Sequence, residues 1–288
     1  MHFLLDGDGV LWVGHEPLPP AREFLEFLRG RGIGYSLITN NSSRSRATTL
    51  ERVRRLGFEF DEGDIFNTNY LAGRYLAQHH AEDIAYVIGS KELVGEVRRH
   101  GIRACTAEEL LPPEKLAYPG ITVKPFLKGK LPVEPTLVLI GIDITANYAK
   151  LALACRLVED GAAFLSTNRD YTYPAEDGYA LPGNGSLVHL VASVTGREPV
   201  NLGKPETHLV DLIEREKGVP RSEMVLIGDR LETDMALAVK AGIRSVLVLT
   251  GVATPRERGD PWPTGCEPTY VMKDLTELQE QFDRLFGE

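Results

Sequence analysis

Cysteine is scarce in this sequence, and the little there is forms no pattern. The three residues, Cys105, Cys155 and Cys266, are widely spaced and odd in number. Neither a disulfide framework nor a CxxC metal knuckle can be built from them, so buried or inert thiols in a reducing compartment are expected. Long apolar runs are missing too, and no stretch approaches the length of a membrane span. The opening residues enter an apolar strand directly, without the features of a secretion signal. Together these absences predict a cytoplasmic protein. A basic excess is the third thing lacking: 32 Lys and Arg stand against 41 Asp and Glu, for a net charge of −9. That excludes a general role on a nucleic acid polymer, because there is no cationic surplus to displace counterions. A small phosphorylated partner is still open, since a local metal ion can outweigh the global charge. No short-period repeat is visible.

What is present is an ordinary globular composition. Of 288 residues 43% are hydrophobic and 25% charged, enough apolar material for one or two domains. Short apolar strands alternate with helical patterns: Phe3–Leu5, then a helix over 22–31, Gly34–Thr39, then a helix over 44–56 closed by Gly57. This is the signature of a parallel sheet with helices on both faces. From Ile84 the same alternation runs on its own, with strands at 84–88, 102–105, 137–141 and 163–166. Between them lies an irregular Pro- and Lys-bearing segment, Leu111–Pro135, and a loop over 168–181 follows. The first pattern resumes with Met224–Ile227 and Ser245–Leu249. The fold expected is α/β: a doubly wound parallel-sheet core over 1–79 and 183–288, with a second α/β domain inserted over 80–182.

In such a sheet the carboxyl ends of the strands line one edge, where ligands bind. Four expected strand ends finish on polar residues: Asp6 and Asp8; Thr39, Asn40 and Asn41; Lys204; Asp229 and Asp234. Asp6 has three readings: nucleophile, metal ligand or turn residue, because Asp6-Gly7-Asp8-Gly9 is also ordinary turn chemistry. A carboxylate can attack phosphorus. Asp8 can then protonate the leaving oxygen and later deprotonate water. A hard divalent ion held by Asp6, Asp229 and the Asp8 carbonyl fits magnesium. Thr39 and Asn40 precede a helix, where an anion is favoured, although Asn41, Ser42 and Ser43 are equally good helix caps. Lys204 between Gly203 and Pro205 could neutralise nucleophile and phosphate, or lie on the surface. Asp234 also suits the first turn of a helix.

Taken together these motifs resemble those of the haloacid dehalogenase superfamily phosphatases. The carriers are Asp6-Gly7-Asp8-Gly9-Val10-Leu11, Thr39-Asn40-Asn41-Ser42, Pro182 to Leu187, Gly203-Lys204-Pro205 and Gly228 to Asp234. The branch it is most similar to contains 4-nitrophenylphosphatases, phosphoglycolate phosphatases, pyridoxal phosphate phosphatases and NagD-type nucleotide phosphatases. The resemblance implies a Rossmann-like core with a large α/β cap, which in this branch often supplies a homodimer interface. It implies Asp6 as nucleophile and Asp8 as acid and base. Thr39, Asn40, Asn41 and Lys204 would hold the phosphate, and Asp6, Asp8, Asp229 and Asp234 the magnesium site. The implied activity is magnesium-dependent hydrolysis of a small phosphorylated metabolite through an aspartyl-phosphate. Two departures stand out: Gly7 replaces a larger residue, and Tyr173 stands where some relatives place a histidine.

The rival from another class is a non-catalytic phosphate-binding or regulatory module; the full set of charged motif residues argues against it. Carbon–halogen hydrolysis needs neither the metal nor the leaving-group acid that Asp8 and Asp229 offer. Phosphoglycolate, nucleotides, sugar phosphates and pyridoxal phosphate all stay open as substrates. His79-His80 has no third ligand at metal spacing, and Gly183-Asn184-Gly185 is no dinucleotide fingerprint. Arg52, Arg54 and Arg55 read as a solvated helix face. Trp12 and His15 could either line the mouth of the site or pack.

Overall fold

The computed structural model describes residues 1–116, 130–174, 179–254 and 261–287. Its chain divides into two compact units, Met1–Thr39 with Arg46–Asn67 and Lys204–Glu288, and Asn40–Ser45 with Thr68–Gly203.

Six parallel strands make the sheet of the first unit: β1 (His2–Asp6), β2 (Gly34–Thr39), β3 (Ile65–Asn67), β4 (Met224–Gly228), β5 (Arg244–Val248) and β6 (Tyr270–Met272). Their order across the sheet is β6-β5-β4-β1-β2-β3. The chain winds outward from β1 to β3, then returns to the other side of β1 and winds outward again. The order therefore reverses between β1 and β4, which lie in register with Leu5 beside Ile227. A crevice opens at such a switch point, outside the strands' carboxyl ends. β1 and β4 are buried at every residue, as expected of strands covered on both faces. Phe3 of β1 meets Phe24 and Phe286 edge-on, at 6.1 and 5.6 Å between ring centroids, so the amino- and carboxyl-terminal helices share one core layer.

The second unit has its own parallel sheet of five described strands. Val200–Asn201 is at one edge, followed by Ala163–Ser166, Leu137–Ile140, Ile84–Ile88 and Arg103–Cys105. An apolar cluster including Tyr86, Val138, Ile140, Leu153 and Val188 packs it. No described helix is long and apolar enough to cross a membrane.

The architecture is the expected one; several boundaries move. The helix Thr68–His79, expected in the first unit, packs in the second. Gly73 on this helix lies so close to His100 that a Cβ there would come within 2.6 Å of the imidazole Nδ1, and Tyr70 meets the same ring edge-on. Residues 183–203 also join the second unit, because Asn184 donates to the Ile140 carbonyl at 3.1 Å and Val200 pairs with Leu165. The loop expected over 168–181 contains a short hairpin, Thr172–Pro174 against Ala180–Pro182. Pro182-Gly183-Asn184-Gly185 leads into a helix that starts at Asn184. Residues 117–129 of the irregular segment lie outside the described residues, as does the side chain of Tyr173.

Candidate active site

β1 and β4 deliver Asp6 and Asp229 to neighbouring strand ends. Asp234 comes from the turn that follows. Residues 231–235 form a single wide helical turn in which the Met235 N–H reaches back to the Arg230 carbonyl at 3.1 Å. Wide turns of this kind interrupt regular helices mostly at functional sites. Here it returns the Asp234 carboxylate to its own strand end, where Oδ2 accepts the Arg230 N–H at 3.2 Å. One ligand oxygen each from Asp6, Asp229 and Asp234 lies within 4.8 Å of the others, and all three residues are buried.

Lys204 enters the same cluster. Its Nζ donates to Asp6 Oδ1 at 2.8 Å and to Asp234 Oδ1 at 2.7 Å, and the residue is 3% exposed. The surface reading of this lysine is thus corrected. Thr39 ends β2, buried, opposite Asn67 of β3.

The electrostatics show what the cluster lacks. Burial pushes the Asp6 carboxyl up to about 8; Lys204 opposes this, while Asp234 and Asp229 add to it. Asp229 rises to about 6, through burial first and then the Asp234 charge, with the Val252 N–H pulling the other way. Burial disfavours the charge on Lys204, yet Asp234 and Asp6 outweigh it and hold its pKa above the usual lysine value. One ammonium faces three carboxylates.

The Oδ1 atom of Asp229 is buried and has no hydrogen-bond partner among the described residues. An unpaired buried anionic oxygen is costly, and here it stands beside two further carboxylates. These residues fit a hard divalent cation, which prefers carboxylate oxygens. Backbone crowds in on the remaining sides. Val252 N–H reaches Asp229 Oδ2 at 2.7 Å. A Cβ on Gly9 (φ +84°) or on Gly251 would come within 2.4 or 2.0 Å of that same oxygen. The sequence reading missed the turn at 250–252; a glycine just past the end of β5 is the signal that could have found it.

Asp8 does not join the three clustered acids. It is exposed, and its Oδ1 accepts the indole N–H of Trp12 at 2.9 Å. Trp12 itself is buried, and His15 is exposed. Arg52 is only partly exposed and lies over the Trp12 ring, 5.1 Å from its centroid, so it is not part of a solvated face; Arg54 and Arg55 are.

Asn40 and Asn41 belong to the second unit. Asn41 makes a local turn, its Oδ1 accepting from Ser43 N and Oγ at 2.9 and 2.7 Å. The helix starts only at Arg46, so these residues form a loop rather than a cap. That loop is tied down within its unit: Ser42 Oγ accepts the Ile142 N–H at 3.1 Å, and Asn40 Nδ2 donates to Asp170 Oδ2 at 3.0 Å. Asn168 donates to the same oxygen at 2.6 Å. Asp170 went unnoticed as the partner of Asn40, because 130 residues separate the two.

Comparison with known proteins identifies the family. A haloacid dehalogenase-like hydrolase family profile matches residues 3–103, and a second, described as HAD-hydrolase-like, matches residues 201–278. Human glycerol-3-phosphate phosphatase is 37% identical over 260 residues, covering 87% of this chain and 79% of that protein. The 5′-nucleotidase YutF of Bacillus subtilis is 32% identical over 275 residues, covering 96% of each. Among solved structures, the glycerol phosphate phosphatase of Mycobacterium tuberculosis in complex with magnesium superposes with a TM-score of 0.79 at 28% identity. That match covers 96% of this chain and 76% of that one.

Proposed function

The chain belongs to the haloacid dehalogenase-like hydrolases and is a phosphatase of small phosphomonoesters, and from that premise we propose that it works with magnesium through an aspartyl-phosphate on Asp6. The observation that carries this reading is the convergence of Asp6, Asp229 and Asp234 on Lys204, with one buried Asp229 oxygen unpaired. Asp6, Asp229 and Asp234 would hold the ion together with the main chain of Asp8. When bound, it supplies the positive charge that phosphoryl oxygens require and favours the ionised form of its carboxylate ligands.

Asp6 is the nucleophile. Its carboxylate oxygen attacks phosphorus, the bond from phosphorus to the ester oxygen breaks, and the electron pair leaves with that oxygen. Asp8 gives the leaving oxygen its proton. It then takes a proton from the water that attacks the same phosphorus and frees Asp6. Lys204 holds Oδ1 of Asp6, which restrains the rotation of the nucleophile, and it offsets charge as the phosphoryl group arrives. Thr39, with Asn40 and Asn41 next in the chain, donates to the phosphoryl oxygens. The names of the relatives, a glycerol phosphate phosphatase and a nucleotidase, support small polyol or nucleoside monophosphates as the first substrates to try.

The test is turnover of a phosphomonoester panel with and without magnesium, with Asp6→Asn as the blank. Magnesium-dependent release of phosphate by the native protein and none by the variant is the expected result. Metal-dependent turnover surviving in Asp6→Asn would overturn the mechanism.

A further inference from the structure

Gly7 separates the two aspartates, yet its backbone has no need of glycine: it is absent from the positive-φ residues, where Gly9 appears at +84°. The requirement comes from Trp12. A Cβ on Gly7 would lie 2.3 Å from Cζ2 and 2.5 Å from Cη2 of the indole, far inside the separation of atoms in contact. The ring is 3% exposed. Arg52 covers it at 5.1 Å and Phe58 packs at 6.4 Å between centroids. The main chain also closes on itself here, with Gly9 N donating to Trp12 O at 2.7 Å and Trp12 N to Gly7 O at 3.1 Å. From this fixed ring Nε1 donates to Asp8 Oδ1 at 2.9 Å. An otherwise exposed carboxylate is thereby anchored by a buried donor.

We propose that Trp12 is a positioning residue for Asp8, and that Gly7 is the space which lets its ring reach the carboxylate. An indole N–H can only donate. It therefore occupies one oxygen of Asp8 and leaves Oδ2 for the proton exchanged with substrate and water. The Oδ2–H bond breaks as the ester oxygen takes the proton and departs from phosphorus with its electron pair. This rests on the reading of Asp8 as acid and base.

The experiment measures kcat/KM, which reports the step that expels the leaving group, over aryl and alkyl phosphates of graded leaving-group pKa. Nitrophenolate departs without help, whereas an alkoxide needs the proton. Trp12→Phe keeps an aromatic ring, though a smaller one, and removes the N–H; Gly7→Ala keeps the indole and displaces it. Both variants should lose about tenfold on alkyl esters while holding nitrophenyl phosphate within about twofold, and Asp8→Asn should steepen the dependence further. If Asp8→Asn steepens it but Trp12→Phe and Gly7→Ala do not, or lower all esters equally, the positioning role is overturned and Asp8 keeps its own. If Asp8→Asn leaves the slope unchanged, Asp8 is not the acid and the inference falls with it. Should Trp12→Phe fail to fold, Gly7→Ala decides.

Discussion

Replacing Lys204 by methionine would leave Asp6 and Asp234 buried without the ammonium that each now meets within 2.8 Å. Breaking a buried charge pair by removing one partner costs about 3–5 kcal/mol, so urea unfolding of the metal-free variant should show a loss of that order. Activity should fall at least about a hundredfold, as for other preorganised groups aimed at transition-state charge. Magnesium should restore part of the stability and little of the rate; full activity in Lys204→Met would remove the lysine from the mechanism. At this scale the charged residues were legible, because a carboxylate or lysine at a strand end is conspicuous where apolar residues are expected. The contacts that aim them were not. In the sequence Gly7 is only a departure from a larger residue, and the indole 2.3 Å from its absent Cβ shows why nothing larger fits. Trp12 was open between packing and lining the site; it packs, and its one polar atom holds Asp8.

The loop of residues 40–45 is held by its own unit through Asp170, Ile142 and Ser90. If Asn40 grips phosphate, Asp170 sets its amide. Asp170→Ala should therefore raise KM about tenfold for every ester, in line with a lost hydrogen bond to a charged group, and change kcat much less. The double variant with Asn40→Ala should be no worse than Asn40→Ala alone, since coupled residues are not additive. Additive losses would show that Asp170 acts elsewhere. Element types were readable because the β-α alternation is strongly patterned. Element starts were less so. Pro19 and Pro20 open the first helix before its apolar stripe begins, and Gly183 precedes a helix whose first residues, Asn184 and Gly185, favour turns. The wide turn at 231–235 has no sequence signature, yet it is what returns Asp234 to the cluster.

At the scale of the whole chain the insertion was legible and its limits were not, since the helix Thr68–His79 carries an apolar stripe that says nothing about which unit receives it. The packing of Gly73 and Tyr70 against His100 decides. The same scale yields the last prediction, because the acid cluster ties the stability of the first unit to pH and to metal. Without a cation, burial lifts Asp6 to about 8 and Asp229 to about 6 in the folded state, above the ordinary 3.8. Between about pH 4 and pH 8 the folded chain therefore binds more protons at these two residues than the unfolded chain does. Their contribution is fully present below the unfolded value and is lost as pH rises through the folded ones. A divalent ion that binds the ionised carboxylates reverses this, because it competes with protons for them. The gain in Tm on adding magnesium should accordingly be small near about pH 5 and larger near about pH 8. Taking the difference between magnesium and EDTA at each pH cancels the titration of every group remote from the cluster. Asp229→Asn, which removes one of the three carboxylates, should flatten the difference. Equal gains at both pH values in the native chain would mean that Asp6 and Asp229 do not titrate upward in the fold, and no gain at either pH would remove the cluster as the cation site.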